Sequence, residues 1–195
     1  MNLPARLLDG LKARYGEPQR HYHTWDHIGA LKRHYDDLSA HWHRPVPVLW
    51  ALYWHDAIYD PTASDNEELS AQLLEAEGSS VLAEDDLALA AQIIRATAKH
   101  EIPSGLDPDD ENDLALFLDI DLSILGAPAP VFDQYEADVR AEYAFVPDEA
   151  FRAGRLRILN SFADRETIYF TKAGQNRWDQ QARANLGRSI ARLQP

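Results

Sequence analysis

Ala51-Leu-Tyr-Trp-His55-Asp56-Ala-Ile-Tyr59 ends a strongly apolar run with a histidine and a carboxylate side by side. An apolar segment of this kind reads as a buried helix, and buried Asp and His side chains are tolerated only when hydrogen-bonded, paired or holding a metal. Two readings stand open on these residues alone. They are a ligand pair, or they are a helix end where both heads reach water and the Asp starts the turn. Neighbours on a helix point ~100° apart, so both reach one ion only if it lies between their directions.

Upstream, Arg44-Pro-Val-Pro47 breaks the chain and sets a proline where a helix can begin. This predicts one buried helix over 48–59. Before it, Thr24 is the expected N-cap of a helix whose apolar stripe is Ile28, Leu31, Tyr35 and Leu38. His23 and His27 are four apart, so they share a face if that helix extends through both. Leu3, Leu7, Leu8 and Leu11 recur at helical spacing after Pro4, and Gly16-Glu-Pro18 stops that first helix.

Downstream, Asp65 and Glu68 have the spacing of a capping box for a helix ending near Gly78. The stretch 82–100 reads as the next helix, with Lys99 and His100 at its end. An acidic, proline- and glycine-containing stretch over 101–113 reads as an exposed loop. A buried helix follows over 114–125 with one carboxylate inward. Asp119 and Asp121 lie ~200° apart on it, so at most one joins a shared site. Amphipathic segments over 131–143, 148–162 and 175–193 complete the series, and only 167–171 looks strand-like. The expected fold is all-α, a compact helical bundle forming one domain over 1–195, with the site motifs within 20–125 and the helices of 131–193 completing the bundle.

Of the 195 residues, 45% are apolar, ample for one core. Nineteen basic against 32 acidic residues give a formal charge of −13. That balance disfavours extended nucleic acid and anionic membrane surfaces as partners. A small phosphorylated substrate stays compatible, because a metal and a few arginines can reverse the field inside one cleft. The chain has no cysteine, which removes disulfides, thiolate metal sites and Cys nucleophiles and fits a cytoplasmic location. No stretch approaches the ~18 apolar residues of a membrane span, so neither a signal nor an anchor is expected.

His27, then His55-Asp56, then Asp121 resembles the H…HD…D signature of the HD-domain superfamily of metal-dependent phosphohydrolases. Tyr22-His23-Thr-Trp-Asp-His27 also resembles the tyrosine-His-x-x-x-His motif of cyclic-nucleotide phosphodiesterases, a distantly related fold, and Asp121-Leu-Ser123 resembles their last metal-binding aspartate. With Asp65-Asn-Glu-Glu-Leu-Ser70 and Arg140-Ala-Glu-Tyr143, the chain is similar to a group of uncharacterised bacterial predicted HD phosphohydrolases. The resemblance implies one divalent ion held by His27, His55, Asp56 and Asp121. Two imidazoles and two carboxylates suit Mn, Fe, Co, Ni, Zn or Mg, and a second metal is left open. The implied activity is hydrolysis of a small phosphorylated metabolite or nucleotide phosphoester by a metal-activated water.

The same resemblance makes His23 and Asp56 the catalytic residues, His23 as general acid toward the leaving oxygen and Asp56 also as ligand. The roles of His23 and His27 can be exchanged at this level. Related families use a histidine near His100 for a second metal or for substrate. The alternative for Lys99 and His100 is a favourable place against a helix C-terminus. Arg20, Arg95, Arg140 and Arg155 are candidates to bind phosphate, each with the alternative of a surface or ion-pair residue, and Arg20 is the best placed because it lies three residues from His23. Trp25, Trp50 and Trp54 read as core. One departure stands out: nucleotidase members carry a glutamate three residues after the HD aspartate, where this chain has Tyr59. Two rival functions remain, a catalytically silent metal-binding regulatory module and a di-iron oxygenase that would draw on His23 and His100 as extra ligands.

Overall fold

The computed structural model describes residues 3–194. It is 70% helical, with no strand among the described residues, so the all-α expectation holds. The chain divides into two compact units, one up to Leu118 and one from Asp119 onward.

The first unit is built from α1 (Ala5–Tyr15), α2 (Trp25–Asp37), α3 (Pro45–Trp54), α4 (Asn66–Gly78), α5 (Glu84–Thr97) and most of α6 (Pro108–Asp121). α3 is its centre. Val48, Trp50, Ala51, Leu52 and Trp54 are all buried, which covers more than one face and marks a helix enclosed by its neighbours. α2, α4 and α5 pack against it. The Trp50 and Trp54 rings stack 4.8 Å apart and 8° from parallel, so both are core. Pro45 starts the helix where its missing N–H is no loss. The fully buried Asp113 carboxylate accepts the His43 and Arg44 backbone N–H groups at 2.9 and 2.6 Å, just ahead of the helix.

Several boundaries differ from expectation. α3 stops at Trp54, well short of 59. His55 N–H makes the last bond of the helix, to Ala51 O at 2.9 Å, and Ala57 N–H then turns back to Trp54 O at 2.9 Å. Thr24 stands at the N-cap of α2, but its side chain makes no capping bond. The Asp65–Glu68 capping box does not form either: Asp65 makes no cap bond, and Glu68 instead accepts from Arg95 at 2.7 and 2.9 Å. That pairing holds the Glu68 carboxyl down at about 2. α5 ends at Thr97, so Lys99 and His100 lie beyond it, His100 with a left-handed φ of 49°. α6 begins at Pro108, inside the predicted loop, with Asp109, Asp110 and Glu111 in its first turn. Proline at the first helical position and acids near a positive helix end account for that early start.

The second unit contains a 3-10 turn (Leu122–Gly126), α7 (Ala129–Glu142), α8 (Asp148–Ala163), α9 (Lys172–Gly174), a π turn (Gln175–Asp179) and α10 (Gln180–Leu193). α10 packs on α8 and on the 3-10 turn, which α7 also touches. The buried Asn185 amide donates to Leu125 O and Ala127 O at 2.8 Å each, satisfying the end of that turn. The strand-like stretch 167–171 forms no strand. The buried Asp119 carboxylate takes its donors instead: Phe170 N–H at 2.6 Å, Thr171 N–H at 2.8 Å and the Thr171 hydroxyl at 2.6 Å. Burial outweighs these three donors and pushes the Asp119 carboxyl up to about 6. Gly174 is required beside it, because a Cβ there would overlap the carboxylate. No single helix among the described residues is long and apolar enough to cross a membrane.

Candidate metal centre

Two elements of the first unit bring the histidines together. His27 lies in the first turn of α2, on the side that packs against α3, and its side chain is 3% exposed. His55 follows the last residue of α3 and is 1% exposed. Their Nε2 atoms face each other at 3.2 Å. His55 Nδ1 lies 3.0 Å from Leu52 O. A carbonyl only accepts, so Nδ1 carries the proton of that bond, and in the neutral ring Nε2 presents its lone pair.

The early end of α3 settles the direction of Asp56. Outside the helical register, its carboxylate swings back so that Oδ2 is 3.0 Å from His55 Nε2 and 3.7 Å from His27 Nε2. Burial opposes the charge on Asp56, but His55, with His23 and His27, outweighs it and holds the carboxyl well below its ordinary value. The Asp56 side chain keeps 18% of its surface open, which makes it the most accessible member of this trio.

Asp121 is the last residue of α6, a continuous helix that begins in the first unit and carries Phe117, whose ring meets His55 edge-on at 5.8 Å. His27, His55 and Asp121 form a group of ligand-type residues that could hold a metal ion. The donor set fits a divalent ion. Imidazole nitrogens and carboxylate oxygens converge at ligand spacing, and the second nitrogen of His55 is fixed by a backbone carbonyl, as histidine ligands commonly are. Asp119 is absent from this group and engages 170–171 instead.

His23 precedes α2 rather than lying on it, since the helix begins at Trp25. The shared-face geometry with His27 therefore does not arise. The two rings are 6.2 Å apart, and His23 stacks on Tyr59 at 4.2 Å with Tyr22 edge-on at 5.0 Å. Tyr22 also lies 4.9 Å from the His27 ring. Neither tyrosine was named as a site residue from the sequence, where Tyr22 entered as the first residue of the motif ending at His27 and Tyr59 as a departure from the nucleotidase pattern.

Arg20 has a different occupation from the one expected. Its guanidinium is buried and donates to Glu17 at 3.1 Å, His23 O at 3.1 Å, Asp56 O at 2.7 Å and Ala57 O at 3.1 Å. Lys99 is exposed and His100 partly exposed in the turn after α5. Arg95 bridges Glu68 and Glu75, Arg140 holds Tyr143 O and Asp148, and Arg155 pairs with Glu136, all as ion-pair or backbone partners.

Comparison with known proteins returned no matching family model, no matching curated protein and no matching solved structure.

Proposed function

We propose that this chain is a metal-dependent phosphohydrolase of the HD type, acting on a small phosphorylated metabolite or nucleotide. The observation that carries the reading is the buried pair of imidazoles, Nε2 to Nε2 at 3.2 Å, with the Asp56 carboxylate alongside. Two imidazole nitrogens and a carboxylate oxygen converging at this spacing are a donor set that a divalent cation can draw on.

In this reading His27, His55, Asp56 and Asp121 hold one divalent ion. Such an ion supplies an acidified water and Lewis acidity toward a phosphoryl oxygen. The protein's own part is then threefold. Two buried imidazoles, that of His55 braced by Leu52 O, fix the ligand directions. Asp56 and Asp121 place negative charge where a dication is wanted. His23, half-buried and held against Tyr59, delivers a proton to the leaving oxygen.

The deciding experiment is elemental analysis of wild-type and Asp121→Ala protein after incubation with Mn, Co, Ni or Fe, followed by a phosphoester panel with the metal retained. Near-stoichiometric metal in the wild type, its loss in the variant and turnover of a phosphoester are expected. A wild type that takes up no metal overturns the proposal. Full occupancy with no turnover across the panel favours the regulatory module instead.

A further inference from the structure

Arg20 is a buried cation with most of its donors spent on the backbone. One nitrogen bonds both His23 O, in the segment before α2, and Asp56 O, in the turn after α3; the other terminal nitrogen bonds Ala57 O in the same turn. Nε–H goes to Glu17, a partly exposed carboxylate. The planar group is also flanked by aromatic rings, its central carbon 5.1 Å from the Tyr15 ring and 5.4 Å from the Tyr59 ring, and Tyr59 in turn stacks on His23. Through this guanidinium Arg20 reaches a turn 36 residues away in the chain.

We propose that Arg20 is the positioning residue of the centre: by gathering the carbonyls of His23, Asp56 and Ala57, it fixes the His23 imidazole relative to the Asp56 carboxylate. The proposal rests on the reading of these residues as a metal site. Asp56 and His23 both lie outside the helices. The turn at 55–57 has left α3, and His23 has not yet joined α2. A planar fork with donors in several directions can tie three carbonyls at once, whereas an ammonium is a point donor on a flexible stem. Carbonyl oxygens and a cation also leave the charge of Asp56 available to the site, because Arg20 binds its main chain and not its carboxylate. Removing such an outer support typically weakens metal affinity about 10–100-fold.

The test uses the full chain as Arg20→Met and Arg20→Lys beside wild type, with two measurements. The first is the Ni dissociation constant by calorimetry. The second is the set of through-space NMR contacts between the His23 and Tyr59 rings in metal-free protein. Arg20→Met is expected to weaken Ni binding about 10–100-fold and to lose the His23–Tyr59 contacts while contacts within α8 and α10 persist. Arg20→Lys, the variant expected to fold if Met does not, falls between. A lowered melting temperature with unchanged Ni affinity and intact His23–Tyr59 contacts in either folded variant overturns the proposal, since that is the signature of a stabilising residue with no role in the site. If the wild type itself binds no Ni, the metal reading fails, and the metal-free ring contacts alone decide whether Arg20 positions His23.

Discussion

His23 and His27 differ in what surrounds them, and substitution separates them. His27 is buried against His55, while His23 sits half-buried on the Tyr59 ring. His23→Ala is expected to retain the metal and lower kcat by about 10²–10⁴, measured by elemental analysis beside steady-state kinetics. An emptied site in His23→Ala, with metal kept in His27→Ala, would reverse their roles. Gly174 offers a prediction free of the metal. A Cβ there overlaps the Asp119 carboxylate, so Gly174→Ala should cost roughly 1–3 kcal/mol as overpacking does, seen as a lower denaturation midpoint. His27, His55 and Asp121 could be picked out from the sequence as candidate ligands because their types and order resemble a known metal-binding signature. The occupation of Arg20 could not, because its acceptors are backbone carbonyls, and every residue type offers one.

α3 shows why helices were legible and their ends were not. Its continuous apolar content marks a buried helix at once, but the stop after Trp54 is made by a turn through His55 and Ala57 that no glycine or proline announces. Expected caps at Thr24 and Asp65 stand at the right positions without their side-chain bonds, so the start of a helix was read correctly for a reason that does not operate. The device that does hold the start of α3 comes from 69 residues away, in the Asp113 carboxylate. Asp113→Ala leaves two backbone donors ahead of α3 without that acceptor and should destabilise by about 1–3 kcal/mol. Urea unfolding checks it, and a change below a few tenths would mean that water replaces the carboxylate at no cost.

The division into two units was invisible in the sequence, because apolar helical patterning runs without a break through 114–121 while the boundary falls between Leu118 and Asp119. The fold class was legible because helical periodicity repeats along the chain, whereas long-range grouping depends on contacts that no local pattern encodes. A ligand that binds only the native chain raises its stability by mass action. An ion present at a hundred times its dissociation constant adds about 2.7 kcal/mol, or roughly 5–10 °C in Tm for a chain of this size. Thermal melts with and without a chelator should show that gap in the wild type and none in Asp121→Ala. The tryptophan pair at the heart of α3 then has a practical use. Trp54 immediately precedes His55, is stacked on Trp50 and donates its indole N–H to Glu77 at 3.1 Å, so the centre has a fluorophore built in beside it. Mn, Co or Ni arriving at His55 would dim that emission and Zn or Mg would spare it, letting occupancy be followed by light in the unlabelled protein.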